Sequence, residues 1–212
     1  MSNKKYFVTG IGTGIGKTIV SAILTEMLKA DYWKPIQAGE LDNSDTMKVK
    51  SLVSNDQSFF HPETYALTEP FSPHKSAAID GIEIDMQRFV APKTNNNLII
   101  EGAGGLMVPL NNQFLVIDLI KQLNAEVILV SQNYLGSINH TLLSIQTLKQ
   151  YQIPIAGIIF NGDSNPNSEE YILNYTGLKL LGRIPKYDIV TPKNVFEAAN
   201  NLICLSSPIL GG

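Results

Sequence analysis

Residues 5–18 read KYFVTGIGTGIGKT. The apolar run Tyr6, Phe7 and Val8 has the length of a buried strand and feeds a turn carrying Gly10, Gly12, Gly14 and Gly16. Lys17 and Thr18 then open a helix-like stretch, IVSAILTEML, at 19–28. A strand, a glycine-rich turn and a helix N-terminus, in that order, form a phosphate cradle. Glycines let the backbone approach phosphate oxygens and aim N–H groups at them, and the helix terminus adds positive potential. The Lys ammonium reaches the outer phosphates, and the Thr hydroxyl can hold Mg²⁺. Five residues separate Gly10 from Gly16, where the standard loop has four. A glycine-rich hairpin is the plain alternative, but it has no need of Gly-Lys-Thr opening a helix. Nucleoside triphosphate binding is therefore expected, with Gly12, Thr13, Gly14, Ile15, Gly16, Lys17 and Thr18 as the contact stretch.

Working outward, short apolar runs recur between helical patterns: DYWKPI at 31–36, NLIIE at 97–101, EVILVS at 126–131, IAGIIF at 155–160 and LKLLGRI at 178–184. Helix-like stretches fall at 17–29, 44–54, 116–123, 137–151, 167–176 and 193–203. Continuous apolar strands alternating with helices predict an α/β fold of the P-loop nucleoside triphosphate hydrolase-like kind. Its sheet is mostly parallel, with helices on both faces. Ligands then bind at the carboxyl ends of the strands, where TGIGTGIGKT, KPIQAG, EGAGG, SQNYLGSINH, FNGD and GRIPK all lie. Residues Leu52 to Asn96 hold Pro62, Pro70, Pro73 and Pro92 with little periodicity. They read as a loop-and-helix excursion beside the active site. The remainder carries no repeat or linker, so 1–212 is expected to be one domain.

Composition narrows the function. A chain of 212 residues, 44% hydrophobic and 17% charged, can bury a real core. A net charge of −3 offers no general attraction for nucleic acid or an anionic membrane. No stretch resembles a signal peptide, and no apolar run is long enough to span a bilayer. The expectation is a cytoplasmic protein. Cys204 is the sole cysteine, which excludes an intrachain disulfide and a thiolate cluster; it reads as a small hydrophobe in a late helix.

Three residues at strand ends carry candidate chemistry. Glu101 closes the run NLII and meets Gly102, Ala103, Gly104 and Gly105. A carboxylate there is costly unless paired or metal-bound, and Mg²⁺ shared with Thr18 and phosphate suits it. The glycines would let N–H groups face a substrate. Asp45, behind a cap at Asn43 or Ser44, is either an ordinary first-turn acid or a second metal ligand. Lys34 in Tyr32-Trp33-Lys34-Pro35-Ile36 either turns to water from an edge strand, as Pro35 allows, or serves as a second cation over the transferring phosphoryl group. The helix start at Gly136, Ser137 and Asn139 could take an anionic group, though an ordinary Ser cap explains it equally. His140 and His74 show no metal or catalytic spacing.

Taken together, FVTGIGTGIGKT, YWKPIQAG, NSDT, EPFSPHKSAA, IIEGAGGLMVPL, LGSINHTLLSIQTL, FNGD and GRIPK resemble the dethiobiotin synthetase family nearly end to end. The five-residue gap in the phosphate loop is the family's habit. The resemblance implies that 7,8-diaminopelargonic acid (7,8-diaminononanoate) reacts with CO₂ to a carbamate. ATP phosphorylates the carbamate to a mixed anhydride, and the neighbouring amine closes the ureido ring of dethiobiotin, leaving ADP and phosphate. By motif position it implies that Thr18, Asp45 and Glu101 hold Mg²⁺ and that the catalytic Lys17 and Lys34 serve phosphate and carbamate. Ala38, Gly102 and Gly104 would border the substrate, and the Gly136–Asn139 helix start would take its carboxylate. Asn161, Ile184 and Pro185 would frame adenine. It further implies a homodimer in which a partner tyrosine, here Tyr171, reaches the substrate carboxylate. Gly14 and Ala38 stand where some members carry an acidic residue and a serine. Two rivals share the loop: amide-forming synthetases of the cobyrinic acid a,c-diamide type, which usually add a glutaminase domain, and deviant-Walker switch ATPases, which need a lipid- or DNA-binding surface.

Overall fold

A computed structural model describes residues 3–202. Its chain order is β1 (Lys5–Gly10), α1 (Lys17–Leu28), β2 (Asp31–Trp33), β3 (Ile36–Ala38), α2 (Asp45–Leu52), β4 (Phe60–His61) and β5 (Tyr65–Leu67). Then come α3 (Pro73–Ile79), β6 (Leu98–Glu101), α4 (Val116–Leu123), β7 (Glu126–Ser131), α5 (Ser137–Gln150), β8 (Ile155–Asn161), α6 (Pro166–Thr176), β9 (Leu180–Ile184) and α7 (Pro192–Asn201). Seven strands form one parallel sheet in the order β4-β2-β6-β1-β7-β8-β9.

Alternation along the strands divides the core in two. Tyr6 and Val8 of β1 pack with Val20, Ile23, Val195 and Ala199 of α1 and α7. Phe7, between them, packs on the other face with Ile117, Leu119, Ile145, Leu148 and Ile172 of α4, α5 and α6. Both faces are therefore covered, which is why the inner strands read as continuous apolar runs. β1 lies between β6 and β7, pairing Val8 with Glu101 and Gly10 with Val130. That register puts the phosphate loop and Glu101 side by side at the carboxyl edge.

Two sequence expectations change. The run 31–36 is not one strand: the chain leaves the large sheet after Trp33, and Ile36–Ala38 pairs instead with Tyr65–Leu67 in a second, two-stranded sheet. Pro35 has no N–H to continue the first ladder. The excursion 52–96 is also more ordered than its sequence suggests. It supplies β4, β5, α3 and a 3₁₀ turn at Met86–Arg88. Strands of two or three residues are too short to show a period. Helix ends otherwise agree within a residue or two, and Cys204 lies outside the described residues. Among the described residues no helix is long and apolar enough to cross a membrane.

Candidate active site

The phosphate loop is held open by backbone that favours glycine. Gly14 and Gly16 have φ of 72° and 89°, and Gly16 caps α1. A Cβ on Gly16 would stand 2.2 Å from Asn161 Nδ2, the same nitrogen that donates to the Ile15 carbonyl at 2.9 Å. Asn161 thus braces the loop from the end of β8. Lys17 Nζ donates to the Gly12 carbonyl at 3.0 Å and is itself buried. Burial lowers its pKa, as does the positive charge of Lys34, against the pull of Glu101 and Asp45.

Lys34 does not face water. Only 4% of it is exposed, and its ammonium donates to both Asp45 and Glu101, at 3.0 Å to Glu101 Oε1. Turned out of the sheet at Pro35, the side chain reaches the ends of β6 and α2 together. The edge-strand expectation fails because β4 covers that edge, pairing with β2 through Tyr32–Phe60 and Trp33–His61. Burial opposes the lysine's charge, but the two carboxylates outweigh it and raise its pKa. Burial likewise opposes ionised Asp45, yet Lys34 and then Lys48 hold its pKa below the ordinary value.

Glu101, 1% exposed, accepts from Thr18 Oγ1 at 2.9 Å on Oε1 and from the Tyr32 hydroxyl at 2.8 Å on Oε2. Asp45 is aimed by two bonds near the start of α2. Ser44 Oγ accepts from Met47 N at 3.3 Å, so Ser44 is the cap, and Asp45 N donates to Gln37 Oε1 at 3.2 Å. Asp45 and Glu101 flank one ammonium, Thr18 bonds Glu101 beside it, and all three present only oxygen. A carboxylate pair with a hydroxyl beside phosphate-binding backbone fits Mg²⁺.

These residues line a cavity of about 720 Å³ with Thr13, Gly14, Gly16, Ala38, Gly102 and Gly104, and with Pro70–Pro73 of the excursion as its far wall. Gly102 does not offer its N–H there: that group donates to the Val8 carbonyl at 3.0 Å. Its missing side chain answers packing, since a Cβ would lie 2.6 Å from Phe7 Cε1. Gly12 and Ile15 line a second cavity on the other side of the loop, of about 560 Å³, with Tyr134 and His140. Ile184 and Pro185 line a third, of about 410 Å³, beyond Asn161. Gly136, Ser137, Asn139 and Tyr171 border none of the three. Ser137 is buried and its N–H donates to the Tyr134 carbonyl at 3.0 Å, whereas Tyr171 is exposed and stacked on Tyr175. Sequence reading missed Tyr32 and Gln37, because their polar atoms are aimed by partners distant in the chain.

Parallel order, both-face helices and a glycine loop opening α1 define a P-loop nucleoside triphosphate-binding protein. Solved structures agree on the fold. Septum site-determining protein MinD of Pyrococcus horikoshii, complexed with Mg-ADP, superposes with a TM-score of 0.61 at 16% identity, covering 93% of this chain and 86% of that one. The ParA family ATPase of Chlorobium tepidum gives 0.57 at 13%, covering 94% and 99%. A family model described as an AAA domain matches residues 4–194. ATP-dependent dethiobiotin synthetase BioD of Christiangramia forsetii is 53% identical over 95% of this chain and 98% of its own length. The same-named protein of Cytophaga hutchinsonii is 52% identical over 94% and 97%. The chain belongs to the ATP-dependent dethiobiotin synthetase family.

Proposed function

We propose that this chain closes the ureido ring of dethiobiotin in biotin synthesis, converting 7,8-diaminopelargonic acid, CO₂ and ATP to dethiobiotin, ADP and phosphate. The observation that carries it is the buried Lys34 between Asp45 and Glu101 at the mouth of a phosphate loop. CO₂ adds to one amine to give a carbamate, with loss of a proton. The carbamate oxygen takes the terminal phosphoryl group of ATP. The second amine then attacks the activated carbon, and phosphate leaves. Negative charge gathers on the carbamate and the transferring group, where Lys34 and Lys17 supply preorganised cations. Thr18, Asp45 and Glu101 would hold Mg²⁺, which neutralises phosphate charge. The mixed anhydride, which water would destroy, would form in the cavity walled by Gly102–Gly104 and Pro70–Pro73.

The adenine would rest beyond Asn161 against Ile184 and Pro185. Its carboxyl-bearing partner substrate would extend towards the helix start Gly136–Asn139 and Tyr171 of a second subunit. Leu135, fully exposed, and the exposed Tyr134, Leu143, Tyr171 and Tyr175 support a homodimer through the α5–α6 side. We place the activity in the cytoplasm and on a single domain. The test is a coupled ADP-release assay: release requires Mg²⁺, the diamine and bicarbonate together. Strong hydrolysis with ATP alone, unchanged by diamine, would overturn the reading.

A further inference from the structure

We propose that Tyr32 is a positioning residue that restricts Glu101 to one-oxygen coordination and so selects a small octahedral cation, Mg²⁺, over a larger one such as Ca²⁺. This rests on the metal reading above. Three observations carry it. Tyr32 pairs with Ile99 in the sheet register, so Glu101, two residues further along β6, projects from the same face. The phenol is fully buried and donates to Glu101 Oε2 at 2.8 Å. The other oxygen, Oε1, accepts from Thr18 and Lys34, which line the 720 Å³ cavity, whereas Tyr32 does not line it. Oε1 is thus the cavity-side oxygen and Oε2 is tied into the core.

The division has a chemical consequence. Mg²⁺ demands near-octahedral geometry and takes single carboxylate oxygens, whereas Ca²⁺ accepts two oxygens of one carboxylate in its larger, looser shell. Bringing Oε2 to a cation would break a hydrogen bond inside the apolar cluster of Ile23 and Ile99. Tyr32 therefore acts on the metal through Glu101 without touching it.

The test titrates Mg²⁺ and Ca²⁺ calorimetrically into wild-type, Tyr32→Phe and Glu101→Gln proteins saturated with ADP, with folding checked by melting. Removing the phenol should weaken Mg²⁺ about 10-fold, the scale of a lost outer partner, and shift the Ca²⁺-to-Mg²⁺ affinity ratio towards Ca²⁺ by a similar factor. A tyrosine that merely stabilised the core would leave the ratio unmoved. An unchanged ratio in folded Tyr32→Phe overturns the inference. If Glu101→Gln also leaves Mg²⁺ binding untouched, the metal reading falls with it; if Glu101→Gln weakens Mg²⁺, only the role of Tyr32 falls. Should Tyr32→Phe not fold, infrared difference spectra of the wild type with Ca²⁺ decide, with the Glu101 band assigned through Glu101→Gln. One-oxygen coordination is expected, and two-oxygen coordination overturns the inference.

Discussion

Lys34 is a single ammonium standing between two carboxylates that come from a helix start and a strand end, 11 and 67 positions away respectively. The sequence around it left two readings open because neither partner is near in the chain. Its burial excludes the water-facing reading and fixes what substitution should do to the fold. Lys34→Met strands Glu101 and Asp45 without their counter-charge, at a cost of about 3–5 kcal/mol of stability. It should also lower turnover about 10²–10³-fold at saturating ATP and diamine. Lys34→Arg should restore the melting temperature better than the rate, since a planar guanidinium does not replace a compact ammonium. Near-normal turnover for folded Lys34→Met would remove the lysine from the chemistry. The pH dependence follows from the same pair. Asp45 titrates below its ordinary 3.8 in the fold, so its stabilisation is complete above 3.8 and disappears as pH falls through the lower folded value. Lys34 titrates above its ordinary 10.5, so its share is complete below 10.5 and is lost as pH rises through the higher folded value. Melting temperatures should fall as pH drops below 3.8, and Asp45→Asn should reduce that fall without abolishing it, because Asp31 is held below 3.8 as well, its burial outweighed by hydrogen bonds from Thr94 and Asn96. Lys17 runs the other way. Its lowered pKa means that ATP affinity should begin to weaken below pH 10.5, while Lys34 is still charged. Calorimetric ATP binding across alkaline pH checks the order.

Among the elements, the glycine loop was fully legible because its residues are contiguous and each has a local reason. Gly16→Ala makes that reason measurable. A left-handed backbone with a Cβ costs about 1–2 kcal/mol, and the new atom would drive Asn161 from the Ile15 carbonyl. ATP binding should fall steeply, while Gly14→Ala, which meets nothing within 4 Å, should lose only the backbone share. Equal affinities for the two variants would show that the Asn161 brace contributes nothing. β1, β6, β7 and β8 were legible for a different reason: burial on both faces leaves an unbroken apolar run. The second sheet was not. Its Ile36–Ala38 strand follows the turn at Lys34-Pro35 so closely that the apolar pattern runs straight across the break. The pairing with Tyr65–Leu67 is a long-range choice that no local pattern records.

At the scale of the whole molecule, the fold alone does not separate this family from its switch-ATPase neighbours, which share it at 13–16% identity. Identity to the dethiobiotin synthetases over nearly the whole chain makes the distinction, and ADP release should respond to diamine and not to lipid vesicles or DNA. Light scattering should give a dimer at assay concentrations, and Leu135→Asp should dissociate it with loss of activity. A fully active monomer would refute the assembly. The sheet order carries one more consequence, for how the protein comes to exist. Within the large sheet, consecutive strands are bonded only where β2 meets β4, β7 meets β8 and β8 meets β9. β1 waits for Leu98–Glu101 to fill one edge and for Glu126–Ser131 to fill the other. On the ribosome, the glycine loop therefore emerges well before the strands that flank it. Closing such long loops is entropically costly, so refolding should be slow for a chain of this length and vulnerable to association while β1 stays bare.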